Sequence, residues 1–181
     1  AEPTISRFTA PIEKIISKHG AKSVLVEYAD CPDIDFQAYH GIILSGSPQG
    51  NDIVEHHLPY FEWVKTCEVP VLGICAGHHI IGFMHGSKIL RSAEPESGDY
   101  EVEIIQNDIL FSNLPKNFKV KQMHNDSITL PENFYLLATS KTCLNQIMKH
   151  KTKALYTCQF HPEIYNHELI ENFLNMCFTN Y

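Results

Sequence analysis

No stretch of the 181-residue sequence reaches 18 consecutive apolar residues, which leaves no candidate for a membrane-spanning helix. The opening Ala1-Glu2-Pro3-Thr4 lacks both the basic and the apolar region of a secretory leader, and a cytoplasmic location is expected. Positive charge is scarce: 14 basic against 21 acidic side chains give a net charge of −7. A surface of that sign offers no footprint for a phosphate backbone or an anionic membrane, so neither nucleic acid nor membrane is expected as a partner. The six cysteines, Cys31, Cys67, Cys75, Cys143, Cys158 and Cys177, include no C-x-x-C pair and are too thinly spread for a secreted disulfide framework. Reduced thiols are expected, most of them core filler. Internal repeats, low-complexity tracts and linker-like composition are also missing, so residues 1–181 are expected to form a single domain. Metal ligation is not indicated: the eleven histidines include no H-x3-H pair, and the neighbours His56-His57 and His78-His79 would point about 100° apart on a helix.

What is present is an alternation of short apolar runs and amphipathic stretches. Lys22 to Tyr28, Gly41 to Ser45 and Val69 to Cys75 are rich in Val, Ile and Leu, as suits strands buried on both faces of a parallel sheet. Phe8, Ile12, Ile15 and Ile16 share one helical face that runs to Lys18-His19-Gly20, a C-terminal stop. A second helix is expected over Asp52 to Thr66, with Pro59 a kink or its true start. Beyond residue 100 the runs Tyr100–Gln106, Phe118–His124, Phe134–Thr139, Asn145–Lys149 and Ala154–Phe160 predict strands. Several of their connections are too short for a crossover helix, so some pairings must be antiparallel. Leu169, Ile170, Phe173, Leu174 and Cys177 predict a closing helix. The fold class is therefore α/β, with a mixed, mostly parallel central sheet flanked by helices. Such a sheet usually opens with a strand, whereas this sequence opens with a polar segment and a helix; a first strand is expected to be missing ahead of Ala1.

Three segments at predicted strand ends carry chemistry. Gly73-Ile74-Cys75-Ala76-Gly77-His78-His79 reads G-x-C-x-G, in which glycines two positions either side of a nucleophile permit a sharp strand-to-helix turn. A helix N-terminus beside the sulfur favours thiolate, and the Ala76 amide can donate to an oxyanion. Gln159-Phe160-His161-Pro162-Glu163 supplies a base, His161, with Glu163 as the group that orients it. Leu44-Ser45-Gly46-Ser47-Pro48-Gln49-Gly50 is a small-residue loop whose backbone amides can approach a ligand. Each segment alone also reads as an ordinary turn, and Cys75 as core filler.

Together and in this order the three resemble the class I, triad-type glutamine amidotransferases, marked by an S-G-G-P loop, a G-x-C-x-G-H-Q elbow and an H-P-E segment; the likeness spans roughly residues 5 to 178. The resemblance implies a flavodoxin-like fold and hydrolysis of the glutamine side-chain amide by Cys75, His161 and Glu163. It also implies an oxyanion hole from the amides of Ser47 and Ala76, and substrate contacts at Gly46 and His79. Ser47 stands where the family has a second glycine, and His79 where it has a glutamine. Met123-His124-Asn125-Asp126 is similar to a segment of the amidotransferases that serve GMP synthetase, and by that likeness His124 and Asp126 lie near a partner and couple it to the site. The partner implied is a separate synthetase polypeptide that uses ATP and Mg to convert XMP to GMP. No cofactor is implied for this domain. Action on another γ-glutamyl substrate, or a catalytically degenerate binding role, are the alternatives that Ser47 and His79 leave open.

Overall fold

In the computed structural model, which describes residues 3–48 and 56–179, two apolar clusters form on the two faces of one sheet. The chain runs α1 (Pro3–Lys18), 3-10 turns at Tyr28–Asp33 and Phe36–Ala38, β1 (Ile42–Leu44), a 3-10 segment Leu58–Lys65, β2 (Val71–Ile74) and α2 (Ala76–Met84). It continues through β3 (Ile89–Ile104), a 3-10 turn Ile109–Phe111, β4 (Asn117–Ile128), β5 (Phe134–Thr139), β6 (Ile147–His150), β7 (Leu155–Cys158) and α3 (His167–Thr179). The seven strands lie in the order β1-β2-β7-β6-β5-β3-β4. The α/β class and the mixed sheet are as expected, but the sheet is mostly antiparallel rather than mostly parallel. Its parallel part is confined to β1, β2 and β7, while β7-β6, β6-β5, β5-β3 and β3-β4 pair antiparallel. The reason is the one the short connections anticipate: β5 to β6 and β6 to β7 leave no room for a crossover helix.

The flanking helices lie where periodicity predicts them. Phe8, Ile12 and Ile15 are buried along α1, and Gly20 ends the turn that follows with φ +87°, a conformation costly for any residue with a Cβ. On the same face Leu169, Ile170 and Phe173 of α3 are fully buried against Leu72, Ile74 and Phe160. The opposite face is covered by Ile80 and Ile81 of α2 with Phe61 and Val64 of the 3-10 segment. Among the described residues no helix is long and apolar enough to cross a membrane.

Three further expectations are corrected. Lys22 to Tyr28 is not a strand: residues 21–27 have no ladder partner, Val24 and Leu25 are 66% and 49% exposed, and Tyr28 already begins a 3-10 turn. High β-propensity makes a strand only against a neighbour, and here a cavity of about 460 Å3, walled by Ile12, Ile16, Val26, Ile43 and Phe173, separates this stretch from β1. The helix expected over 52–66 is α-helical at His56 and His57 and passes at Leu58 into a 3-10 segment with Pro59 in its first turn; 52–55 lie outside the described residues, as do Gln49 and Gly50. Finally, β3 begins at Ile89, eleven residues ahead of the predicted Tyr100. Its first half contains Pro95, charged residues and Gly98 at φ +127°, and its register against β4 jumps between Arg91 and Glu96, so no alternation betrays it.

Phe173 has no exposed surface and joins α3 to the sheet. Phe173→Ala is expected to lower unfolding stability by about 3–5 kcal/mol, read as a drop in the urea midpoint at unchanged m-value.

Candidate active site

β1, β2 and β7 run parallel, so their carboxyl ends share one rim, and the three motif segments all leave from it. At the end of β2 the backbone turns abruptly into α2 at Cys75, whose φ of 50° and ψ of −98° are unusual for a residue with a Cβ. Two bonds lock the turn: Cys75 N donates to Cys158 O on β7 at 2.9 Å, and Cys75 O accepts from His79 N at 3.1 Å as the first bond of α2. The flanking glycines are needed for contact. A Cβ on Gly73 would fall 2.6 Å from Gly77 O, and one on Gly77 would collide with Leu44 of β1. All six cysteines are free and buried, but only Cys75 lines the cavity above this rim.

That cavity, about 310 Å3, is walled by residues from every motif: Ser47 from the β1 loop, Cys75, Ala76 and His79 from the elbow, His124 from β4 and His161 from the end of β7. His161 is 1% exposed and its Nδ1 donates to Glu163 Oε1 at 2.7 Å; Glu163 is 5% exposed. The His161 backbone N is tied to Lys121 O of β4 at 3.0 Å. Nε2 of His161 is buried, and the ring lines the cavity together with Cys75, whose sulfur acts on its proton affinity. Burial drives the His161 imidazole towards neutrality, yet the Cys75 sulfur and the Glu163 carboxylate outweigh it and hold the pKa up at about 10. The Cys75 thiol lies 3.8 Å from the Met123 carbonyl oxygen, its donor contact. Gly46 backs the imidazole: a Cβ there would come 2.9 Å from His161 Cε1.

His79 is 2% exposed, and its Nε2 donates to Gln159 Oε1 at 2.7 Å. Burial is the main reason its pKa is pushed down to about 4, so it stands in the cavity wall as a neutral imidazole. His124 and Asp126 part company. His124 lines the cavity, its Nε2 bonded to Glu96 Oε2 at 2.9 Å and its Nδ1 to Asp126 O at 2.9 Å. The Asp126 carboxylate does not line the cavity and meets the exposed Arg91 at 2.9 Å. Among the described residues no group of three or more His, Cys, Asp or Glu side chains is placed to hold a metal ion.

Four contributors escape sequence reasoning. Phe8 stacks on His161 with centroids 5.4 Å apart, although its spacing marks it only as part of a helix face. Gln159 sits inside the Q-F-H-P-E string, and its place two residues before His161 is a signal that could have found it. Glu96 and the Met123 carbonyl have no sequence signal, since both depend on how β3 and β4 pair.

Comparison with known proteins bears on this cavity. A family profile described as glutamine amidotransferase class-I matches residues 5–180. The A subunit of GMP synthase (glutamine-hydrolyzing) from Methanocaldococcus jannaschii is 36% identical over 142 residues, 76% of this chain and 73% of that protein. Its namesake from Pyrococcus abyssi is 36% identical over 156 residues, 80% and 79% of the two chains. A crystal structure described as that of a putative A subunit of GMP synthase, from Thermoplasma acidophilum, superposes with a TM-score of 0.87 at 30% identity, covering 95% of this chain and 89% of the other.

Buried histidines that stay neutral make stability depend on acid. An unfolded chain takes up a proton on His79 near pH 6.5, whereas the folded one resists until about 4, so stability falls as pH drops through that window. His78, fully buried and pushed down by burial and its neighbour His79, acts in the same sense. His79→Gln is expected to remove about 2–3 kcal/mol of the stability difference between pH 7 and pH 4, measured by urea titration at both values.

Proposed function

The chain belongs to the class-I glutamine amidotransferase family, and on that footing we propose that it hydrolyses glutamine to glutamate and ammonia at Cys75 and passes the ammonia to an ATP-dependent synthetase that converts XMP to GMP. The observation that carries this reading is the sharing of one cavity by a strained strand-to-helix cysteine and a buried histidine bonded to Glu163.

The chemistry follows from the charges. The Cys75 sulfur attacks the γ-carbonyl carbon, and the oxygen of the tetrahedral intermediate is received by the amides of Ala76 and Ser47, two residues that line the cavity with the sulfur. His161, whose proton is held by the sulfur and Glu163, protonates the departing nitrogen as the C–N bond breaks. The resulting thioester is then cleaved by water. His161 takes the water proton, the hydroxyl adds to the carbonyl carbon, and the C–S bond breaks to return the sulfur. Glu163 keeps Nδ1 protonated, so Nε2 is the nitrogen that exchanges protons. These steps use side chains and backbone of this chain alone; ATP and magnesium belong to the partner's reaction.

Two features support a GMP-forming partner. The Methanocaldococcus and Pyrococcus relatives bear the name of GMP synthase, and two neighbouring ion pairs, exposed Arg91 with Asp126 and His124 with Glu96 at the cavity, are joined by the hydrogen bond between His124 Nδ1 and the Asp126 backbone carbonyl. We place the partner contact at the outer pair, Arg91 with Asp126. One observation favours a second reading: the imidazole of His79 is fixed by Gln159 in the cavity wall, where it changes the shape offered to the substrate, so another γ-glutamyl compound is the alternative.

Cys75→Ala is expected to abolish ammonia release from glutamine, assayed with the synthetase partner present, and Glu163→Gln to lower kcat by about 10²- to 10⁴-fold with little change in KM. Ammonia release from glutamine below that from γ-glutamyl peptides would transfer the assignment to the second reading. Wild-type activity in Cys75→Ala would end both.

A further inference from the structure

We propose that Arg7 recognises the α-carboxylate of the amino-acid substrate, an inference that rests on the glutaminase reading and deepens it. Of the described residues lining the catalytic cavity, Arg7 is the one lysine or arginine, and Glu96 the one carboxylate. The two are not equivalent. Glu96 is already engaged by His124 at 2.9 Å, with both side chains less than a tenth exposed. Arg7 is exposed and has no carboxylate within ion-pair distance among the described residues. Its guanidinium carbon stands 5.9 Å from the centroid of the Phe8 ring, and that ring stacks on His161 at 5.4 Å and 28°. One aromatic ring thus separates the cation from the general base.

The chemistry of the substrate requires a group of this kind. Three carbon atoms separate the reacting γ-carboxamide carbon of glutamine from its α-carboxylate, so with the amide at Cys75 the carboxylate must reach a wall or the mouth of the cavity. With Glu96 already engaged by His124, Arg7 is the one lysine or arginine among the described lining residues that can meet this carboxylate. A guanidinium offers a planar fork that meets a carboxylate with two parallel hydrogen bonds, and an exposed one exchanges only water for them. Packing against Phe8 limits the freedom of the side chain, so less entropy is lost when the carboxylate docks. The γ-glutamyl compounds of the second reading also carry this carboxylate, so Arg7 would serve either substrate. It would contribute specificity without entering the bond-making steps.

The test measures covalent labelling of Cys75 by intact-protein mass spectrometry with three electrophiles: a diazoketone analogue of glutamine, the same diazoketone without the α-carboxylate, and iodoacetamide. Arg7→Ala is expected to slow labelling by the full analogue about 10- to 100-fold, to leave the other two rates unchanged, and to be partly rescued in Arg7→Lys. Equal slowing with iodoacetamide would overturn the proposal, because Arg7 would then be acting on the nucleophile or the fold. Unchanged labelling by the full analogue in Arg7→Ala would overturn it as well, while leaving the glutaminase reading intact. A wild-type protein that takes iodoacetamide but never the full analogue would overturn both, a result distinguishable from the other two.

Discussion

Everything at the rim where the three motif segments meet depends on the backbone turn at Cys75. A left-handed φ on a residue with a side chain costs about 1–3 kcal/mol, and it persists only because the surroundings over-determine it. Here the amide is bonded into β7, the carbonyl starts α2, and glycines at 73 and 77 let helix and strand approach more closely than any other residue would allow. The reward is a sulfur at the N-terminal end of α2, raised out of the sheet while its own strand stays buried in the core. Because β7 holds the turn on one side and positions His161 just beyond its own end, Cys75 and His161 are aligned by one ladder of hydrogen bonds rather than by two independent loops.

The second constraint is electrostatic. A histidine as buried as His161 would normally lose its proton, as His79 and His78 do in the same neighbourhood. What separates them is their partners. His161 has a carboxylate on one side and a sulfur on the other, whereas His78 and His79 are bonded to the uncharged Thr157 and Gln159. Three neighbouring imidazoles are thereby divided into one that holds its proton beside Cys75 and two that stay neutral, His79 in the cavity wall and His78 fully buried. The Glu96–His124 pair adds a further ionisable contact at the edge of the cavity, and burial of both groups makes its geometry stringent.

The antiparallel half of the sheet contributes more to the site than its distance in sequence suggests. β4 delivers the Met123 carbonyl to the Cys75 thiol, the Lys121 carbonyl to the His161 amide and the His124 ring to the cavity. The register jump between Arg91 and Glu96 in β3 allows this, since it brings Glu96 opposite His124 and leaves Arg91 opposite Asp126. An extension of the sheet thus forms one wall of a pocket whose cysteine, Cys75, stands at the end of a parallel strand.

The amino-acid order by itself determined whatever rests on local periodicity and on short motifs. The faces of α1 and α3, the strands around Ile42–Leu44, Val71–Ile74 and Leu155–Cys158, and the elbow around Cys75 follow from apolar spacing and from glycines at fixed offsets, which act within a few residues. Pairing is different in kind, because a strand exists only when another lies beside it. That is why Lys22 to Tyr28, apolar enough for a strand, is not one, and why the polar first half of β3 is one. Only the tertiary structure decided that Phe8 backs His161, that Glu96 meets His124, that Gln159 holds His79 and that Arg7 borders the cavity. Each of these contacts joins residues from separate elements, and their meeting depends on register and packing rather than on any property of the local chain.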